Sequence, residues 1–282
     1  MKRISIVLLL VSFLSPSLCA QSKAKKAKDE KPQPDEMVAY KTVGDVTLSL
    51  HAFMPQEESP SPRPAIVFFF GGGWNGGTPS QFYGQSRHLA DLGMACFCAE
   101  YRVKSRNGTT PKDCVSDGKS AVRWLRANAK RFNLDPDRIA AGGGSAGGHV
   151  AAATATVKAF DDPSDDSAVS AIPSALALFN PVYDNGPDGY GHSRVKEYWQ
   201  DISPMHRLSK DVPPSIVFLG TKDKLIPVST AESFQRKLQD LGVRSDLHLY
   251  QDAPHGFFNR DEAYKDTLKK TEEFFRSLGY IE

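Results

Sequence analysis

Gly143-Gly144-Ser145-Ala146-Gly147 is the stretch on which the reading of this chain turns. The pattern G-x-S-x-G is short enough to arise by chance, so its flanks carry the argument. Before it, Asp137-Arg138-Ile139-Ala140-Ala141 reads as a short strand, and after it His149-Val150-Ala151-Ala152-Ala153 reads as a helix. A serine held in a tight turn between a strand and a helix is lifted above the edge of a sheet. Such a turn strains the backbone, and a side chain two residues before or after the serine would strike the neighbouring strand and helix. Glycine at 143 and 147 avoids both collisions. The N–H of Ala146 then lies at a helix start, where the positive end of the peptide dipoles collects. Ser145 is the candidate nucleophile, against the plainer alternative of a glycine-rich turn with an incidental serine.

Working outward, Phe70-Gly71-Gly72-Gly73-Trp74 follows the apolar run at 65–70 directly. Three glycines let backbone N–H groups come close to a ligand oxygen, as stabilising a developing oxyanion requires. The alternative for the same run is a phosphate cradle. It lacks the Lys-Ser/Thr ending of a P-loop and the G-x-G-x-x-G spacing of a dinucleotide site.

A serine hydroxyl needs a base to take its proton, and the base needs an acid to hold its tautomer. His255, in Asp252-Ala253-Pro254-His255-Gly256-Phe257, falls beyond the last strand pattern and before the last helical one, at the sheet edge of Ser145. His149 lies one helical turn after Ser145 and is expected to point down the helix and pack. Asp223, in Gly220-Thr221-Lys222-Asp223-Lys224, leaves another strand pattern at the same edge. Asp184 is the fallback acid, and Asp252 reads as a turn residue.

The rest of the chain sets the frame. Residues 37–43 and 46–53 alternate around Gly44-Asp45, a hairpin signal. Apolar runs at 65–70, 94–99, 139–141, 175–179, 216–219 and 247–250 alternate with helical patterns at 81–92, 111–132, 146–159, 228–241 and 262–278. The order predicts an α/β fold: a mostly parallel central sheet with helices on both faces and an N-terminal antiparallel hairpin. No internal repeat or second-domain boundary is visible. The long irregular stretch 180–214 carries Tyr183, Tyr190, Tyr198 and Trp199, and loops of that length usually cover a site.

Lys2 and Arg3 precede an apolar run at 4–14, and Leu18-Cys19-Ala20 follows. This is the layout of a secretory signal peptide over residues 1–20, too short to span a bilayer comfortably. A retained anchor, or a lipid on Cys19, is the alternative. Residues 21–36 are expected to be a charged flexible linker, and 37–282 a single domain. The chain would be secreted or periplasmic, with no stable membrane insertion after cleavage. Loss of Lys2 and Arg3 leaves 33 basic residues against 33 acidic ones, so no global field favours nucleic acid. Cys96 and Cys98, two apart on a strand, point to one face. One of them pairs with Cys114, or all three stay free thiols. No spacing among cysteines and histidines resembles a zinc site, and neither metal nor cofactor is expected.

From about residue 37 onward the sequence resembles the α/β-hydrolase carboxylesterases, the branch holding hormone-sensitive-lipase-like enzymes and bacterial acetylxylan or feruloyl esterases. The resemblance rests on Gly71-Gly72-Gly73-Trp74, Ala121-Val122-Arg123-Trp124-Leu125-Arg126, Gly143-Gly144-Ser145-Ala146-Gly147-Gly148-His149, Gly220-Thr221-Lys222-Asp223 and Pro254-His255-Gly256-Phe257. It implies a triad of Ser145, Asp223 and His255, with the N–H groups of Gly72, Gly73 and Ala146 as the oxyanion hole. Phe70 stands where the family commonly has histidine, which leaves the bracing of that loop open. The activity implied is cofactor-free hydrolysis of a small-molecule or polysaccharide ester, with short acetyl or aryl-acyl groups expected. A lipase or peptidase of the same fold, or a non-catalytic binding protein on that scaffold, is the alternative.

Overall fold

The computed structural model describes residues 31–282; the expected signal peptide and most of the expected linker lie outside the described residues. Gln33–Glu282 form one compact unit. Its eight strands are β1 (Glu36–Val43), β2 (Val46–Phe53), β3 (Arg63–Phe69), β4 (Ala95–Ala99), β5 (Leu134–Gly144), β6 (Leu176–Phe179), β7 (Ser215–Gly220) and β8 (Ser245–Tyr250). They form one sheet in the order β1-β2-β4-β3-β5-β6-β7-β8. The β1–β2 and β2–β4 pairs are antiparallel, and β3 through β8 pair parallel. Glu36, assigned to the linker on sequence, already pairs in β1 with Ala52.

Five helices of two turns or more cover the sheet: α1 (Tyr83–Asp91), α2 (Pro111–Ala127), α3 (Ala146–Thr156), α4 (Val228–Asp240) and α5 (Asp261–Ser277). In β3 the residues Val67 and Phe69 face one apolar layer, shared with Val122 of α2, Val150 of α3 and Phe234 of α4. Ile66 and Phe68 face the other, with Leu89 of α1 and Phe274 of α5. A strand covered on both faces has no reason to alternate, which accounts for the unbroken apolar run. The hairpin is fastened by buried charge: Lys41 Nζ of β1 lies 2.8 Å from Asp117 of α2 and 2.7 Å from Asp162. Arg102 Nη2 meets the same Asp117 at 2.8 Å.

Two expectations are corrected, and the cysteine alternative is decided for free thiols. Strand β5 begins at Leu134 rather than 137, because Arg63↔Leu134 pairs beyond a register shift next to Pro136. The stretch 180–214 is not wholly irregular: it holds single helical turns at His192–Val195 and Trp199–Ile202. Cys114 cannot reach Cys96 or Cys98, because it packs on the α2 side of the sheet and they pack on the other. All three are buried free thiols.

Candidate active site

Ser145 sits at the end of β5 with φ 53° and ψ −118°, a conformation that L-residues adopt only under constraint. The constraint is visible on both sides. Its N–H donates to Phe179 O at 2.9 Å, and its carbonyl accepts from Val182 N–H at 3.1 Å and His149 N–H at 3.0 Å. A Cβ on Gly143 would lie 2.6 Å from Phe69 O, and one on Gly147 would run into the carbonyl oxygens of Phe69 and Phe70. Glycine at these two positions is thus a steric demand of the β3–β5–α3 junction, as the sequence implied.

The three residues singled out from separate parts of the chain meet here. His255 Nε2 lies 2.8 Å from Ser145 Oγ, and His255 Nδ1 lies 2.7 Å from Asp223 Oδ2. With the carboxylate accepting at Nδ1–H, Nε2 is left as the acceptor for the serine hydroxyl. The Asp223 side chain is fully buried, and its other oxygen accepts from Leu225 N–H at 2.8 Å and Ile226 N–H at 3.0 Å. Asp184 is elsewhere: it accepts from Gly186 N–H at 2.7 Å and faces His206 at 3.9 Å. Asp252 pairs with Lys222 at a turn. His149 is buried against the Trp74 ring and donates from Nε2 to Ile202 O at 3.0 Å. Burial pushes its pKa down to about 4, against the opposing pull of that carbonyl.

The glycine loop after β3 turns through three positive-φ residues, Gly72 (129°), Gly73 (61°) and Trp74 (56°). A Cβ on Gly71 would lie 3.4 Å from Ser145 Cβ, so the loop passes directly beside the serine. Among the described residues the N–H groups of Gly72, Gly73 and Ala146 have no hydrogen-bond partner. The bracing left open by Phe70 comes from other groups. Its ring stacks on Tyr101 at 4.1 Å, and its carbonyl accepts from the Tyr101 hydroxyl at 2.6 Å. Burial raises the pKa of that phenol and keeps it a donor. Gly71 N–H donates to Gln81 Oε1 at 2.6 Å, and Arg194 Nη1 donates to Gly73 O at 2.7 Å.

The family model BD-FAE matches residues 50–176. In structure, the chain is similar to esterase 2 of Thermogutta terrifontis: TM-score 0.85, 39% identity, 90% of this chain and 98% of that one covered. The chain belongs to the α/β-hydrolase carboxylesterases. It is also similar to esterase LipC of Mycobacterium tuberculosis, 29% identical over 239 residues that cover 76% of this chain and 58% of the relative. An acetylxylan esterase of Xylanibacter ruminicola is 27% identical over 241 residues, covering 79% of this chain and 47% of the relative. The chain spans about half the length of the curated relatives it matches. The T. terrifontis esterase has been solved phosphorylated by paraoxon and phosphonylated by sarin, and also with propionate and with butyrate bound.

Sequence reading missed Asn180, Tyr101, Gln81 and Arg194. Asn180 was visible only as the residue after β6, although Asn-Pro directly beyond a strand, at the edge that carries Ser145, is a usable signal. It is fully buried at φ 36°, with its N–H donating to Phe218 O at 2.7 Å. Of the four aromatic residues in 180–214, the stretch expected to cover a site, Tyr183 is buried and stacks on Phe234 at 4.3 Å. Tyr198 packs on Phe160, and Trp199 lies edge-on to His206. Tyr190 alone of the four adjoins the glycine loop, against Trp74 and beside Gly73.

Proposed function

We propose that the protein hydrolyses carboxylic esters through an acyl-enzyme on Ser145. The observation that carries this is the unbroken chain from Ser145 Oγ through His255 to Asp223, with links of 2.8 and 2.7 Å, at a strained turn facing free backbone donors. In the first half-reaction Ser145 Oγ attacks the ester carbonyl and His255 Nε2 takes the hydroxyl proton. The N–H groups of Gly72, Gly73 and Ala146 receive the oxyanion, and Asp223 stabilises the imidazolium. Collapse breaks the bond to the alcohol, which leaves with the proton from His255. Water, deprotonated by the same imidazole, then attacks the acyl-enzyme and releases the acid. Losing one oxyanion donor in such a site typically costs about 3 kcal/mol of transition-state stabilisation.

Short-acyl esters of carbohydrates are the proposed substrates. Structures of the T. terrifontis esterase with propionate and with butyrate support small acyl groups, and the likeness to an acetylxylan esterase supports a carbohydrate alcohol. The layout of residues 1–20 supports export before the enzyme meets its substrate, secreted or periplasmic. A fluorophosphonate probe tests the mechanism: the wild type is labelled and Ser145→Ala is not. Labelling of a different residue, or of neither protein, rejects it. Comparing kcat/KM for acetate, butyrate, octanoate and decanoate esters, then acetylated xylo-oligosaccharide and methyl ferulate, tests the substrate class. Decanoate as the best substrate, with a jump in rate above its solubility limit, would make the enzyme a lipase.

A further inference from the structure

Against the glycine loop lies a cavity of about 390 Å³, walled by Gly73, Trp74, Lys104, Thr109, Ser193 and Arg194 among others. Its chemistry is one-sided. Lys104 and Arg194 are both exposed, no carboxylate lines the wall, and among the described residues neither cation is paired with one. Arg194 is held in place by its bond to Gly73 O and by the rings of Trp74 and Tyr190, 5.9 and 5.6 Å from its centre. One arm of its fork is used there, and the remaining N–H donors are free. Two wall residues also carry a polar atom turned away from the cavity, Trp74 Nε1 and Thr109 Oγ1, each buried and without a partner among the described residues.

A larger hollow of about 900 Å³ elsewhere on the molecule shows the contrast. Of its four cations, Lys119, Arg123 and Arg207 are already paired with Asp161, Asp165 and Asp201, and Lys158 has no acidic partner among the described residues. The smaller cavity keeps its positive charge unspent next to the loop that receives the oxyanion. We infer that it is a subsite for the carboxylate of an anionic ester, an inference that rests on ester hydrolysis at Ser145. A carboxylate offers acceptors to a guanidinium and an ammonium, which a neutral acyl chain does not. The charge belongs to either the acyl or the alcohol part of the substrate, and the test separates the two.

Two matched pairs of aryl esters serve: mono-para-nitrophenyl glutarate against para-nitrophenyl pentanoate for the acyl side, and meta-carboxyphenyl acetate against meta-carbamoylphenyl acetate for the alcohol side. At low salt the charged member of one pair is expected to exceed its neutral partner in kcat/KM by about tenfold, the effect of one charge-assisted contact. Lys104→Gln should cut that preference at least about threefold and leave the neutral esters unchanged, and about 0.5 M sodium chloride should shrink it in the wild type. Turnover of the neutral esters with no preference for either charged one overturns the subsite while leaving ester hydrolysis standing. A preference that Lys104→Gln does not alter places the charge recognition elsewhere and also overturns it. Failure to hydrolyse any of the four esters instead overturns the reading on which the inference rests.

Discussion

Gly256 donates its backbone N–H to Oδ1 of Asn180 at 2.9 Å, so the residue that follows β6 holds the loop that presents His255. The amide nitrogen of the same side chain lies 3.4 Å from His255 Nε2. Asn180 is thereby a positioning residue for the imidazole, itself fixed by the strand bond of its N–H to Phe218 O.

Asn180→Ala is expected to lower kcat on an activated ester by about ten- to a hundredfold, the cost of a catalytic group slightly out of place. KM should stay within about twofold, because uniform binding is untouched. Asn180→Asp keeps an acceptor for Gly256 and adds negative charge beside the imidazole. Its kcat/KM profile should therefore lose activity on the acid side at a higher pH than the wild type. An unchanged profile in Asn180→Asp, or a full rate in Asn180→Ala, would remove the role.

Ser145→Ala and His255→Ala should each lower kcat at least about a thousandfold with the fold intact. Asp223→Asn should be far more damaging than Asp184→Asn, because Asp223 alone of the two contacts His255. Circular dichroism establishes folding before the rates are compared. A greater loss from Asp184→Asn would move the acid to the earlier strand.

Gly147→Ala tests the junction beneath the serine. Its new methyl would collide with two carbonyl oxygens at the end of β3, and backbone cannot yield as a side-chain tip can. A loss of stability of at least about 1–3 kcal/mol is expected, together with a drop in kcat exceeding that of Gly76→Ala. At Gly76 the nearest group to a new Cβ is Ser105 Oγ at 3.8 Å. Equal urea midpoints for the two variants would show that the junction is looser than its geometry.

The buried His149 predicts a pH effect on stability. Its folded pKa is about 4 against a reference of 6.5, so between these values the unfolded chain takes up a proton that the folded chain refuses. Stability from this group is therefore complete above pH 6.5 and falls as the pH drops towards 4, by at most about 3 kcal/mol. Urea titrations of the wild type and His149→Gln across that window should show a shallower slope in the variant. Parallel slopes would mean that the imidazole does not titrate with folding.

What the sequence revealed and what it hid divide along a physical line. Ser145, Asp223 and His255 were legible because each follows a strand pattern at one sheet edge, and glycines or turn residues mark each departure. The mostly parallel sheet followed from the alternation of strand and helical patterns around them. Asn180 and Arg194 were not legible, because their roles exist only through partners far along the chain: Gly256 for one and Gly73 for the other. The same holds for Lys41, whose burial is tolerated only through Asp117 and Asp162. Tyr183 was misplaced for a related reason: an aromatic residue in a long connection reads alike whether it turns outward or, as here, stacks on α4.

The free thiols lie on opposite faces of the sheet, Cys114 beneath α2 and Cys96 with Cys98 beneath α1. Burial pushes all three pKa values up, Cys98 to about 12, so in the closed molecule they are inert towards alkylating and disulfide reagents. Each reacts only when its own layer parts from the sheet. The described residues thus carry two built-in chemical clocks, one per layer. If they run at a single rate under native conditions, the two layers open as one cooperative unit; if they run at different rates, one layer loosens before the other.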